Sequence, residues 1–199
     1  MDRRVFLVRL CGAAAALLLP AAAFLPTSSA AQIAAPPKGA SVHFALTSTD
    51  GTAVTEQSYR GKWLAIYFGY TFCPDICPTT MMDLAQAFQA LGPRAAEAQV
   101  AFVSVDPQRD KPDVLAEYLT AFDPHFVGLT GTPAQISAAA KSFNVFYERH
   151  DTDEGNYTYD HSSYVYLVSP DGRLAEALTS DRGSKQIAAA LLRLMSQAP

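Results

Sequence analysis

Two cysteines and one histidine are the residues of this sequence whose types and spacing point to chemistry. Cys73 and Cys77 lie in the segment GYTFCPDICPTTM, separated by three residues, and each is followed by a proline. That spacing lets both sulfur atoms meet on one turn of backbone, as a disulfide or, when reduced, as two thiolate ligands for a soft metal ion. Two sulfur ligands leave most metal sites incomplete, so a further ligand is expected among the histidines.

The sequence contains four histidines, and His161 is the favoured ligand. It directly precedes the predicted strand SSYVYLV, on a segment expected to lie near the cysteines at the same end of the sheet. An imidazole with two thiolates suits copper or zinc, and thiolates favour Cu(I) in particular. His43, His125 and His150 lie in polar or turn segments and are predicted to be surface residues.

The N-terminal residues are predicted to direct the chain out of the cytoplasm. Residues 1–31 combine a basic start with an apolar stretch, typical of an export signal peptide or a membrane anchor, and a proline-containing tether follows at 32–40. The expected location is therefore periplasmic, with the domain at 41–199 either soluble or anchored to the inner membrane by residues 5–25. Cys11 lies in this leader. Thiols in such a compartment are oxidised unless a reductant acts on them.

Charge and length exclude several functions. Without residues 1–31 the chain keeps 12 basic against 18 acidic residues, a formal charge of −6. No basic run is present that could neutralise phosphates, so nucleic acid is not an expected partner, and membrane contact is expected only through an uncleaved N-terminal segment. The remaining chain of about 160 residues is long enough for one domain that needs no disulfide to stabilise its core.

Apolar runs alternate with helical patterns along the domain, which predicts an α/β fold with parallel strand pairs. The run WLAIYFGY at 63–70 predicts a strand buried on both faces, and VAFVSVD predicts a second one. VHFALTSTDGTAVT predicts an N-terminal β-hairpin that turns at Asp50 and Gly51. The predicted helices are TTMMDLAQAFQALG, KPDVLAEYLTAF, TPAQISAAAKSF and SKQIAAALLRLM.

The cysteines are therefore predicted at the carboxyl end of the first buried strand, where open α/β sheets place their chemistry. With Pro78 at the first helical position, Cys77 would cap the helix, whose positive end would favour the Cys77 thiolate. NVFYER and SSYVYLVSP are predicted strands, and the polar part of the segment YERHDTDEGNYTYDH between them is predicted to be a solvated loop. It is not a calcium loop of the EF-hand type, because Gly155 stands at the fifth place and Ser162 where the closing glutamate belongs.

Four segments together resemble the Sco/SenC family of copper proteins, which assist the assembly of cytochrome c oxidase. They are GKWLAIYFGYTFCPDICPTTM, VSVDPQRDKPDVLAEYL, VGLTGTPAQISAAAKSFNVFYER and DHSSYVYLVSPDGR. The resemblance runs over about residues 42–195. Its two cysteine–proline pairs, with a distant Asp-His pair before a strand, are more specific than a bare cysteine pair.

The resemblance implies a thioredoxin-like fold of the peroxiredoxin or redoxin type, with copper bound by Cys73, Cys77 and His161. It implies a role in supplying copper to the CuA centre of cytochrome c oxidase, with the subunit carrying that centre as partner. The alternative role is a thiol-disulfide reductase that keeps the cysteines of that centre reduced. A further copper chaperone or a thioredoxin-like reductant would be an additional partner, and both Cu(I) and Cu(II) are candidate forms of the metal.

Two features distinguish this chain from a thioredoxin-type oxidoreductase. Such enzymes usually have two residues between the cysteines and a proline facing them, whereas this chain has three residues and the segment DHSSY. An imidazole in that place would turn a substrate groove into a coordination site. Asp160 is a candidate to orient His161. A zinc enzyme and a peroxidase of the peroxiredoxin type are the less favoured alternatives.

Overall fold

The computed structural model of the chain describes residues 34–152 and 155–197. The predicted leader at 1–31 and the first two residues of the predicted tether lie outside the described residues. In the part of the chain that is described, no helix has the length and apolar character needed to cross a membrane.

The described residues form nine strands and four α-helices. The strands are β1 (Ala45–Ser48), β2 (Ala53–Thr55), β3 (Trp63–Gly69), β4 (Ala98–Ser104), β5 (Val127–Thr130), β6 (Tyr147–Asp151), β7 (Tyr157–His161), β8 (Tyr164–Val168) and β9 (Leu174–Thr179). The helices are α1 (Ile76–Leu91), α2 (Pro112–Thr120), α3 (Pro133–Ser142) and α4 (Gly183–Gln197).

Seven of these strands form one mixed sheet in the order β2-β1-β5-β4-β3-β8-β9. The central strands β3, β4 and β5 are parallel, whereas β8 and β9 and the pair β1 and β2 run antiparallel to their neighbours. Helix α1 packs against α4, and α2 packs against β5. The predicted α/β class, a central sheet flanked by helices, is confirmed. Strand β9, which follows the turn at Asp171 and Gly172, had not been assigned from the sequence.

Strand β3 positions the cysteine segment, because this strand is itself held by neighbouring strands on both edges and by packing on both faces. All seven of its residues are buried, as expected of a continuous apolar strand in the middle of a sheet. It pairs along its whole length with β4 and, over Leu64 to Tyr67, with β8. The chain leaves β3 at Gly69 and enters α1 seven residues later, so the cysteines lie in a short segment between two rigid elements.

The predicted start of helix α1 was wrong by two residues. The helix begins at Ile76 with Asp75 at the N-cap, so Cys77 lies within the first helical turn and not at the cap. Proline is accepted at Pro78 because the N–H groups of the first turn have no partner inside the helix anyway. The predicted start of α3 is confirmed: Thr132 caps it, and Pro133 is its first residue.

The predicted strand NVFYER is confirmed from Tyr147, where β6 begins, but the solvated loop predicted after it was wrong, because most of it belongs to a β-hairpin. Strands β6 and β7 pair antiparallel and form a two-stranded sheet separate from the main one. Only one face of β7 packs inward: Tyr157, Tyr159 and His161 are half-buried, and Thr158 and Asp160 are exposed. Because β6 is largely exposed, its composition resembles that of a loop.

Candidate metal centre

Three potential metal ligands converge near the ends of β3 and β7 and the beginning of α1. The sulfur atoms of Cys73 and Cys77 and a ring nitrogen of His161 all lie within 4.8 Å of one another. The Cys77 Sγ to His161 Nε2 distance is 3.3 Å. Both cysteines are free thiols. The structure thus brings together the three residues that the sequence singled out, from segments that are far apart in the chain.

The two cysteines differ in environment and in proton affinity. Cys77 is fully buried, whereas Cys73 keeps 9% of its surface exposed. The hydrogen bond that Cys77 donates to Cys73 lowers the pKa of Cys73 far below the usual thiol range, and backbone N–H groups of Asp75 and Cys77 add to the effect. The same hydrogen bond, with burial, raises the pKa of Cys77. The expectation that Cys77 carries the favoured thiolate was therefore wrong: Cys73 carries it.

Glycine is required at position 69 for the Cys77 sulfur to lie where it does. A Cβ atom on Gly69 would lie 2.8 Å from Cys77 Sγ and 3.1 Å from the rings of Phe102 and Tyr67. Such a contact would displace the sulfur or the strand. The Tyr67 hydroxyl lies 3.9 Å from the same sulfur and donates to it. The role of Gly69 could not be predicted from the sequence, because a glycine at the end of a strand has many other uses.

Hydrogen bonding fixes which nitrogen of His161 is free to ligate. His161 Nδ1 lies 3.1 Å from the carbonyl oxygen of Ser162, which can only accept, so Nδ1 carries the hydrogen. In the neutral ring Nε2 then presents its lone pair, and it is Nε2 that faces Cys77. The rings of Tyr67 and Tyr70 lie edge-on to the imidazole, with centroids at 6.1 and 5.9 Å, and restrict its rotation.

Asp160 does not orient His161, and that prediction was wrong. Its carboxylate is exposed and lies 3.2 Å from Nε2 of His150, on the outer face of the hairpin. Adjacent residues on a strand point to opposite faces, so Asp160 and His161 cannot share a partner. The carbonyl of Ser162 takes the role that Asp160 was expected to have.

The other three histidines lie at the surface and outside the cluster. His43 pairs with Glu56 at 3.0 Å and His125 with Asp123 at 2.9 Å, with both imidazoles exposed, and His150 pairs with Asp160. Their surface placement agrees with the sequence prediction. Among the described residues, Cys73, Cys77 and His161 are the one group of three or more potential ligands close enough to share an ion.

A buried carboxylate holds the segment that carries Cys73. Asp110, in the loop between β4 and α2, accepts hydrogen bonds from the backbone N–H of Thr71 at 3.0 Å and from its hydroxyl at 2.6 Å. The hydroxyl of Ser104 donates a third bond at 2.5 Å. Burial raises the pKa of Asp110 despite these bonds. Asp110 was not predicted to be a site residue, although the segment DPQRD has an acidic residue at each end.

The donor set fits a soft, low-coordinate metal ion. Two thiol sulfurs and one imidazole nitrogen with its lone pair turned inward are ligands of the kind that Cu(I) and Zn²⁺ accept. No carboxylate belongs to the group. A hard cation such as Mg²⁺ or Ca²⁺, which needs oxygen ligands, does not fit.

Comparison with known sequences relates the chain to several curated proteins. "Protein SCO1 homolog 1, mitochondrial" of Arabidopsis thaliana is 41% identical over 129 residues, which are 64% of this chain and 39% of that protein. The "SCO2-like protein" of Rickettsia felis is 38% identical over 146 residues, 72% of this chain and 71% of that protein. "Protein SCO2 homolog, mitochondrial" of Homo sapiens is 36% identical over 156 residues, covering 77% of this chain and 59% of the human protein. The chain thus spans less than two thirds of the Arabidopsis and human proteins.

Solved structures give the same relationship. The copper-bound structure of Bradyrhizobium japonicum ScoI has 40% identity and a TM-score of 0.71, covering 77% of this chain and 98% of that one. Yeast Sco1 with copper bound has 32% identity and a TM-score of 0.73, covering 82% and 91%. The mixed sheet with its flanking helices is the thioredoxin-like fold of these structures. The SCO1/SenC family model matches residues 34–196, and the chain belongs to that family.

Proposed function

We propose that this protein is a periplasmic copper chaperone that binds copper through Cys73, Cys77 and His161 and helps to assemble the CuA centre of cytochrome c oxidase. The observation that carries the proposal is the convergence of three ligand atoms within 4.8 Å. Family membership supports it, because Sco relatives have been solved with copper bound and the family is described as one of cytochrome c oxidase assembly proteins.

The protonation states of the free site link copper binding to pH and to redox state. Cys77 holds a proton that must leave before its sulfur can ligate as a thiolate, and His161 must be neutral. Copper binding therefore releases the Cys77 proton. A disulfide between Cys73 and Cys77 would remove two of the three ligands, so copper can load only when the pair is reduced.

Exposure suggests the order in which ligands are exchanged. Cys77 is fully buried, whereas Cys73 and His161 retain surface at the edge of the site. An acceptor thiolate reaches the ion from that edge and displaces Cys73 or His161 first. The buried Cys77 then holds the ion until a second acceptor ligand has bound, so copper never enters solution free.

An anaerobic titration tests the proposal. The reduced domain is titrated with Cu(I) and, separately, with Cu(II), and the same titrations are repeated after the thiols have been oxidised. We expect one copper ion per chain in the reduced protein and loss of binding in the oxidised one. Equal binding in both states would contradict a site made of these thiols. Loss of oxidase activity in a deletion strain, restored by added copper, would support delivery to the CuA centre.

A thiol-disulfide reductase is the second candidate, favoured by the contrast between the two cysteines. The Cys73 thiolate attacks a partner disulfide, forming a mixed disulfide and releasing one partner thiolate. Cys77 then loses its proton and attacks the Cys73 sulfur, which releases the second partner thiolate and leaves a Cys73–Cys77 disulfide. Two electrons pass to the partner, and an external reductant such as a thioredoxin-like protein restores the dithiol.

The two functions are separated by His161. Copper binding requires the imidazole, whereas thiol exchange requires only the two sulfurs. A His161→Ala variant that loses copper binding and keeps reductase turnover on a disulfide peptide would show that both reactions are available and that only one needs the histidine. Full copper affinity in this variant would remove the third ligand from the proposal.

A further inference from the structure

The hairpin that carries His161 is not part of the main sheet. Strands β6 and β7 form their own two-stranded sheet, and His161 is the last residue of β7. The cysteines, in contrast, follow directly on β3 in the centre of the seven-stranded sheet. Only Ser162 and Ser163 link His161 to β8 of the main sheet, so contacts between the hairpin and the body of the domain act together with this link to set the distance between the imidazole and the sulfur atoms.

Arg109, in the loop between β4 and α2, holds the far end of the hairpin. Its guanidinium donates to the carbonyl oxygen of Tyr157 at 2.9 Å and to Oδ1 of Asn156 at 3.1 Å. The same group lies 3.7 Å from the centroid of the Tyr157 ring. A planar guanidinium can make these hydrogen bonds and this stacking contact together, which a lysine cannot.

Arg109 also contacts the segment that carries the cysteines. Its guanidinium lies 4.8 Å from the ring centroid of Phe72, the residue before Cys73, and 5.7 Å from that of Tyr70. Cation–π contacts of this length are within the range that stabilises proteins. One side chain thus touches both halves of the proposed copper site.

The guanidinium is itself held by a fully buried carboxylate. Asp106 has no exposed surface and pairs with Nε of Arg109. The Tyr157 hydroxyl donates to Oδ1 of Asp106 at 2.9 Å, so the hairpin is bound to this ion pair a second time. Tyr157, Tyr159 and His161 share the inward face of β7, so fixing Tyr157 fixes the direction in which His161 points.

We propose that Arg109 is a positioning residue of the metal centre, which joins the hairpin carrying His161 to the segment carrying Cys73. It touches no metal ligand and acts through Tyr157 and Phe72. This inference rests on the proposed copper site, but the contact itself exists in the metal-free protein and can be tested there. The hairpin is expected to stay docked, with His161 in place, only while the guanidinium is present.

The test compares wild type with Arg109→Met. In the metal-free protein, hydrogen exchange of the amides at 157–161 should become at least about tenfold faster, while that of β3 and β4 stays unchanged. Copper affinity should fall about 10- to 100-fold, the range typical of residues that support a ligand. Removing a positive charge near a copper ion would by itself tighten binding, so a lower affinity reports lost positioning.

A spectroscopic readout identifies the ligand that is lost. In the Cu(II) form, the nitrogen hyperfine signal of the imidazole should weaken in Arg109→Met, as it does in His161→Ala. The double variant should bind copper no more weakly than His161→Ala alone, because both changes remove the same ligand. Additive losses of affinity, or an unchanged nitrogen signal, would overturn the proposal.

Further variants keep the test valid if Arg109→Met folds poorly. Asp106→Asn with Arg109→Met removes both partners of the buried ion pair, and Tyr157→Phe removes one hydrogen bond while leaving that pair intact. Tyr157→Phe should give the same changes in smaller measure. Arg109→Lys should not restore wild-type exchange rates or copper affinity. Lysine keeps the positive charge but lacks the planar guanidinium that hydrogen-bonds and stacks at the same time. Full rescue by lysine would contradict the inference.

Arg149 provides the matched control. Its guanidinium also lies 3.7 Å from the Tyr157 ring centroid, but it is exposed and pairs with Asp151 on the hairpin itself. Its one hydrogen bond to the β4–α2 loop, to Oε1 of Gln108, is long at 3.4 Å and exposed. Arg149→Met should leave exchange at 157–161 and copper affinity near wild type. If wild type binds no copper, the proposed function fails, whereas unchanged exchange in Arg109→Met would refute the positioning role alone.

Discussion

His161 Nε2 lies 3.3 Å from Cys77 Sγ, although 84 positions of sequence separate the two residues. The cysteine is in the first turn of a helix, and the histidine ends a strand of a separate hairpin. Each is held from behind: Gly69 leaves room for the sulfur, and the Ser162 carbonyl turns the imidazole. The site is thus assembled by contacts that none of the three segments could provide alone.

Replacing His161 by alanine should weaken copper binding by at least about 100-fold, beyond the 10- to 100-fold typical of a residue that only supports a ligand. The reason is that the copper ion would lose its nitrogen ligand and keep only the sulfur atoms of Cys73 and Cys77. Competition with a chromophoric copper chelator measures the change. Asp160→Ala is the matched control, since that side chain is exposed and faces away from the site; a comparable loss in Asp160→Ala would mean that the hairpin, and not the imidazole, carries the effect.

Cys73 should be alkylated before Cys77 in the reduced, metal-free protein. The lowered pKa of Cys73 means that its thiolate persists as the pH falls below about 8.5, the usual thiol value, whereas Cys77 stays protonated and buried. Iodoacetamide labelling at pH 6 and pH 8, read by mass spectrometry, should therefore find Cys73 labelled first at both pH values and at similar rates. Labelling that begins at Cys77 would contradict the assignment of the proton.

Gly69→Ala should damage the metal site more than the fold. The added methyl group would lie 2.8 Å from Cys77 Sγ, so the sulfur must move, at an expected cost of about 1–3 kcal/mol in unfolding free energy. Copper affinity should fall by at least tenfold. Gly131→Ala is the control: there the nearest atom is the flexible end of Gln135, at 3.1 Å, and copper affinity should not change. Unaltered copper binding in Gly69→Ala would show that the sulfur has room to shift.

Asp110 should make a pH-dependent contribution to stability. Burial raises the pKa of Asp110 in the folded protein, so the folded state binds this proton more readily than the unfolded chain does. The stability that the protonated Asp110 provides is therefore present at low pH and is lost as the pH rises through the pKa of the folded state. The difference in unfolding free energy between wild type and Asp110→Asn should therefore be larger near pH 4 than at pH 7, measured by urea unfolding. Asp113→Asn, at an exposed position in the first turn of α2, should show no such trend. The opposite slope for Asp110 would refute the assignment.

The sequence predicted correctly those elements that have a continuous apolar run or a clear helix-capping pattern. The apolar run at 63–69 is a fully buried strand, and Thr132 and Pro133 begin α3 as their residue types indicate. The weaker predictions failed for identifiable reasons. Pro78 fits any position of a first turn and so did not mark the start of α1. The alternation of Tyr157, Tyr159 and His161 was a strand pattern hidden among charged residues.

The sequence by itself determined which atoms are available: two thiols at fixed spacing after a buried strand, one histidine before another, and an acidic chain without a basic surface run. The tertiary structure alone decided how those atoms differ. Which cysteine holds the proton depends on the depth of each sulfur and on the hydrogen bond between them. The direction of the imidazole depends on the docking of a hairpin through Arg109 and Asp106, because electrostatics, burial and hydrogen bonds act through space and have no counterpart in local sequence.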